Sequence, residues 1–128
     1  MSGGPMVFEY ALVRVIPRLE RGEQVNAGVI VYCKSAGYLE AHCALDAERL
    51  RAIDPQVDVD GVGRALEAVR RVCRGGAEAG PARSEAQGAR FRWLTAPRST
   101  IVQPGPIHSG LTRDPAAELG RLADALVG

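Results

Sequence analysis

The sequence predicts an α+β fold: an antiparallel sheet of about four strands, an N-terminal three-stranded meander plus a C-terminal strand, with helices packed on one face. Three observations carry this expectation. Residues 6–45 contain three runs rich in β-branched and aromatic residues, separated by short turns. Residues 46–74 switch to helical spacing, with capping residues at the start of each helix. A further strand-like run near residue 100 precedes a last amphipathic segment. Strands that follow one another closely pair antiparallel, because the connection is short.

The first strand is "MVFEYALVRVIP", residues 6–17, ended by Pro17. Val7, Ala11, Val13 and Val15 share one face; Phe8, Tyr10, Leu12, Arg14 and Ile16 share the other. Both faces are largely apolar, so the strand reads as central, with Arg14 its exception. "RLERGE" (18–23) turns the chain, with Gly22 as the residue suited to positive φ. The second strand spans 24–33, where Val25, Ala27, Val29, Val31 and Cys33 alternate with Gln24, Asn26, Gly28, Ile30 and Tyr32. "KSAG" makes the next turn, and "YLEAHCAL" (38–45) is the third strand.

Asp46 is placed to cap a helix over "AERLRAI" that stops before Pro55. Asp58 or Asp60 caps the next, whose Val59, Val62, Leu66, Val69 and Cys73 form one face. Arg70, Arg71 and Arg74 sit where the helix dipole favours cations, and Gly75-Gly76 ends the helix. Residues 75–84 are expected to be a mobile loop, leading either into a short helix across 84–94 or into more loop. "STIVQ" (99–103) is the fourth strand, and "PGPIHSGLT" a constrained segment. Asp114 and Pro115 start a last helix with Leu119, Leu122 and Leu126 as its stripe.

With 128 residues the chain fits one domain, 1–128, with a flexible tail at 1–5. Net charge is +1, which gives no global reason to bind nucleic acid or a membrane surface. Fifteen arginines stand against a single lysine, Lys34, a bias that GC-rich codon usage explains. Cys33, Cys43 and Cys73 are odd in number and form no Cys-x-x-Cys pair, which suits reduced thiols in a cytoplasmic protein. With only His42 and His108 beside them, no metal-ligand set is recognisable, and no cofactor is called for. There is no apolar run of transmembrane length and no signal-peptide pattern.

Two places interrupt the apolar patterns. In the first hairpin, a turn centred near Arg21 sets Arg14 opposite Gly28 and Ile16 opposite Asn26. Arg14, Asn26 and Gln24 then share a face, and a guanidinium beside a neutral amide suits a carboxylate or phosphate. The plainer reading pairs Glu20 or Glu23 with Arg14 or Arg18 and makes Gly28 a bulge. The second place is "RFRWLTAPRSTIVQPGPIHSG" (90–110), with Arg90, Arg92, Trp93, Arg98, Ser99 and His108. Residues 83–113 carry five arginines against Glu85 alone, so arginine beside an aromatic ring suits an anionic partner. The plainer reading has Phe91 with Trp93 or Leu94 anchoring the segment while the arginines stay solvated. His108, in a proline-bounded loop, suits acid–base work, but no nucleophile elbow or phosphate loop accompanies it.

"YALVRVIPRLERGEQVNAGVIVYC" with "FRWLTAPRSTIVQPGPIHSGLTRDPAAEL" resembles the bacterial "domain of unknown function 3037" family, over nearly the whole chain. The family pattern falls on Arg14, Arg18, Arg21, Gly22, Glu23, Asn26 and Gly28, and on Arg92, Trp93, Arg98, Ser99, His108 and Gly110. No residue role comes with it. The resemblance also implies a gene neighbourhood beside kinases similar to the HipA persistence toxins, hence a kinase as protein partner. The sequence therefore points to a non-catalytic interaction module, with ligand contacts expected from Arg14, Arg18, Asn26, Gly28, Arg92, Arg98, Ser99 and His108. The alternative is a small hydrolase or transferase on a phosphorylated substrate, with His108 as acid or base.

Overall fold

The structure, a computed structural model, describes residues 4–75, 86–98 and 100–127. Its elements are β1 (Met6–Val15), β2 (Val25–Cys33), β3 (Tyr38–Cys43), α1 (Ala47–Ile53), α2 (Val59–Arg74), α3 (Gln87–Thr95), β4 (Val102–Pro104), β5 (His108–Thr112) and α4 (Pro115–Leu126). The sheet is antiparallel, in the order β3-β2-β1, with β4 and β5 sharing the far edge of β1. β1 is central, as an apolar pattern on both faces requires.

β4 and β5 are one strand broken in the middle. β4 lies on Val13–Val15 and β5 on Met6–Tyr10, so residues 105–107 oppose Ala11 and Leu12. Three residues against two make a bulge, tied down by the Gly105 N–H donating to the Leu12 carbonyl at 2.8 Å. The sequence predicts the fourth strand at 99–103 and a constrained segment over 104–112. The strand in fact resumes beyond the prolines, because Pro104 and Pro106 sit in an edge segment where a missing N–H is tolerated.

The hairpin register also differs from the expected one. Arg14 pairs with Asn26, and Val13 with Gly28, with a register shift between Val13 and Arg14. The extra residue, Ala27, reverses the alternation along β2. Val25 and Ala27, then Ile30 and Tyr32, enter one core; Val29, Val31 and Cys33 enter another. Gly28 is where the strands close up: a Cβ there would stand 3.0 Å from the Cys43 Sγ and 3.1 Å from the His42 carbonyl oxygen. Alternation read from sequence has no means of detecting the added residue.

The first core joins Val13, Val15, Ile30 and Tyr32 to Leu50 of α1, Val62, Leu66 and Cys73 of α2, and Phe91 and Leu94 of α3. The second joins Phe8, Val29, Val31 and Cys33 to Leu122 and Ala123 of α4. Three helices thus pack on one face, and α4 is the exception, covering the other. The cause is legible in β1 and β2, whose two apolar faces both need cover.

The caps follow the sequence: Asp46, Asp58 and Asp114 accept from the backbone N–H of Arg49, Gly61 and Ala117. The helix left open over 84–94 forms as α3. At the end of α2, Gly75 has φ +76°, and the buried Arg90 of α3 donates from Nε to the Val72 carbonyl at 2.8 Å and from Nη2 to the Cys73 carbonyl at 3.4 Å. A Cβ on Gly75 would stand 2.9 Å from the Arg90 Cζ. Arg90, solvated in the plainer sequence reading and open to an anionic partner in the other, instead closes a helix terminus. The tail expected at 1–5 lies outside the described residues except for the exposed Gly4 and Pro5, as does the mobile loop expected at 75–84 except for Gly75. Among the described residues no helix is long and apolar enough to cross a membrane.

Candidate functional site

A largely apolar concavity lies between α2 and the α3–β4 connection. Small residues on α2, Gly61, Ala65 and Ala68, leave room beside Val62 and Val69. Trp93 and Leu94 of α3, Arg98, Thr100, Ile101, Val102 and Leu19 from the β1–β2 turn complete a groove of about 690 Å³. Trp93 is 52% exposed, Leu19 47% and Ile101 36%. Val7, Leu45, Ile107 and Leu111 are exposed as well, but Trp93, Leu19 and Ile101 are the exposed large apolar side chains that line this one groove.

The chemistry of the groove is concentrated at one end. Arg98 lies over the Trp93 ring, 4.7 Å from its centroid, and its Nη2 donates to the Trp93 carbonyl. The stacking holds a cation at the rim without neutralising it. Asp58 also lines the groove, but its carboxylate is engaged by the Gly61 N–H as the α2 cap. Next to the groove, Arg18, Leu19 and Ile101 line a second cleft of about 560 Å³. Arg18 pairs there with Glu20 at 2.9 Å, and Arg21 with Glu23 at 2.6 Å. The Glu20 carboxyl is held below its usual range by its own backbone hydrogen bond first and by Arg18 second.

The two sequence segments thus meet along β1 and β4. Ile16 N–H donates to the Ile101 carbonyl at 2.8 Å, and Arg14 pairs with Gln103. The individual side chains separate, however. Arg98 lines the groove and Arg18 the adjoining cleft. Asn26 is on the α4 face, where its Nδ2 donates to the Leu126 carbonyl at 3.1 Å. Gly28 is packed against β3. Arg92 is exposed, donating within its own helix to the Gly88 carbonyl at 3.3 Å. His108 pairs across β1 with Tyr10, their ring centroids 5.1 Å apart. Ser99 lies outside the described residues.

Burial governs the thiols. It pushes Cys43 up to about 11 and Cys73 up to about 12, so both stay protonated at neutral pH. Among the described residues no group of three His, Cys, Asp or Glu side chains is placed to hold a metal ion. The groove residues that sequence reasoning passed over are Leu19, Val69 and Ile101. Leu19 had a signal, as an apolar residue inside a charged turn; Val69 and Ile101 read as ordinary core positions.

Comparison with curated proteins and with solved structures returned no match. A family model described as "Protein of unknown function (DUF3037)" matches residues 10–127, and the chain belongs to that family.

Proposed function

We propose that this chain is a non-catalytic interaction module that holds a segment of a protein partner in the α2–α3–β4 groove. The segment lays apolar side chains on Leu19, Val69 and Ile101 and sets an acidic residue against Arg98. The observation that carries this reading is the joint exposure of Trp93, Leu19 and Ile101 around one apolar groove with a stacked arginine at its end. Such an arrangement combines an aromatic anchor with a charge that selects among partners. A kinase similar to HipA is the partner implied by family resemblance, and a cytoplasmic location belongs to the same reading.

Trp93 is the chain's one tryptophan, so its fluorescence reports on the groove directly. Selection of displayed random peptides against the protein should enrich segments with two apolar residues beside Asp or Glu. Their binding should blue-shift Trp93 emission and disappear in Val69→Glu. Enriched peptides that bind Val69→Glu as well as the parent would overturn the reading. Co-expression with a kinase similar to HipA, followed by gel filtration, tests that partner separately. The enzyme alternative requires His108 and the arginines around one cleft. Against it stands the position of His108 beside Tyr10, four β1 positions and roughly 13 Å along the strand from Arg14.

A further inference from the structure

A second polar feature lies on the opposite, α4-side face of the sheet, apart from the groove. Asn26, Arg14 and Gln103 form a row across β2, β1 and β4. Arg14 follows Phe8, Tyr10 and Leu12 on the face that packs against α4. Its Nε is buried and has no hydrogen-bond partner, and among the described residues no carboxylate forms an ion pair with it. The flanking amides do not relieve this. Asn26 turns its Nδ2 to the Leu126 carbonyl, and Gln103 is neutral. The guanidinium lies flat on Gly105, where a Cβ would stand 3.0 Å from Cζ and 3.1 Å from Nε.

A half-buried charged donor without an acceptor weakens a fold. A side chain of similar length without charge would fill the same place at lower cost. The stability of the fold therefore does not account for Arg14, and the glycine beneath it provides a bed for it. We propose that Arg14 is the receptor for a monocarboxylate with an apolar body. The terminal nitrogens of the guanidinium are the ones left to meet two carboxylate oxygens, a planar match that a tetrahedral group makes less well. One cation between two neutral amides balances a single negative charge and leaves a phosphate dianion half-compensated. From Arg14 the same face runs through Leu12 to Tyr10, roughly 13 Å at strand spacing; α4 packs mainly over β2 and β3, so these two side chains are half-buried against its core and half left to an apolar ligand body. The site takes a short acyl or aryl acid, or the apolar C-terminal residue of a peptide; the two share the carboxylate and are separated by the test.

Arginine side-chain NMR of ¹⁵N-labelled protein reads this directly, because the other arginines serve as internal controls. Sodium hexanoate should shift the Arg14 Nε–Hε signal saturably, at concentrations at least tenfold below those that move the exposed Arg18 and Arg64. Hexanamide should not shift it, and inorganic phosphate should act more weakly. Gly105→Ala should weaken the response without removing the charge. Arg14→Met should abolish it and leave the urea midpoint equal to or above the parent value. N-acetyl-dileucine, free or amidated at its C-terminus, separates the sources. A response to the free peptide alone assigns the site to peptide termini, and a response to hexanoate as well assigns it to apolar acids in general. Uniform response of all arginines, phosphate acting more strongly than hexanoate, or a fall in the urea midpoint of Arg14→Met would each overturn the proposal.

Discussion

Arg90 offers the sharpest test of how the helical layer is held together. It is a buried arginine whose Nε donates to the Val72 carbonyl at 2.8 Å and whose Nη2 reaches the Cys73 carbonyl at 3.4 Å, at the end of α2. Those carbonyls belong to the last turn of the helix, where the dipole is negative and no intrahelical N–H is available. Arg90→Met keeps most of the stem and removes the donors. A hydrogen bond from a charged group contributes about 1.5–3 kcal/mol, and buried carbonyls left unpaired add to the loss. Counting the 2.8 Å bond in full and the 3.4 Å bond at a fraction gives a loss of about 3 kcal/mol. With an m-value near 2 kcal/mol/M this lowers the urea midpoint by about 1.5 M. A loss below about 1 kcal/mol would refute the assignment of Arg90 as the α2 terminus donor. A second variant tests the geometry. Gly75→Ala adds a Cβ 2.9 Å from the Arg90 Cζ, at a residue with φ +76°. In the parent it meets both steric conflict and backbone strain; in the Arg90→Met background only the strain remains. The double-mutant cycle should return a coupling of about 1 kcal/mol or more, and additivity would show that the two residues do not touch.

Gly28→Ala should destabilise by about 1–3 kcal/mol, since its Cβ meets both the Cys43 Sγ and a backbone oxygen, and Cys43→Ala should recover part of the loss. Full recovery would show that the His42 carbonyl is not a constraint. Asn26→Ala should cost about 1 kcal/mol and speed amide hydrogen exchange at the C-terminal turn of α4, which its Nδ2 holds through Leu126; unchanged exchange there would remove its role as a tether. The thiols of Cys43 and Cys73 are raised to about 11 and about 12 in the folded chain. Folding retains their protons where the unfolded chain loses them, so their contribution is complete below about pH 9 and is lost as pH rises toward 11–12. The unfolding free energy from urea titration should therefore fall from about pH 9 toward pH 11, by up to about 1.4 kcal/mol per pH unit for each thiol. Cys73→Ala should flatten that slope, and an unaltered slope would assign the effect to other groups.

Several features were already present in the order of residues. Asp46, Asp58 and Asp114 cap helices because their side chains act on backbone within three residues. Gly22 turns the first hairpin with φ +71° because only local backbone conformation is at stake. The apolar stripe of α2 and the two-faced pattern of β1 likewise identified a central strand and its covering helices. These are short-range properties, and each is decided by neighbours along the chain.

What escaped the sequence depends on partners far away along it. The added Ala27 reverses which β2 side chains face α2 and which face α4, and only pairing with β1 reveals it. β5 resumes after two prolines because β1 offers an edge there. Arg90 reads as one arginine among many until α3 is laid across the end of α2. The candidate site divides for the same reason. Arg14, Arg98 and His108 interrupt apolar runs alike in sequence, yet strand register and helix packing place Arg14 on one face, Arg98 in the groove on the other side, and His108 beside Tyr10. Residue type determined that these side chains could bind an anion or carry a proton. Tertiary structure decided which could act together, because cooperation between groups requires contact at a few ångströms, and the chain sets that distance only when it folds.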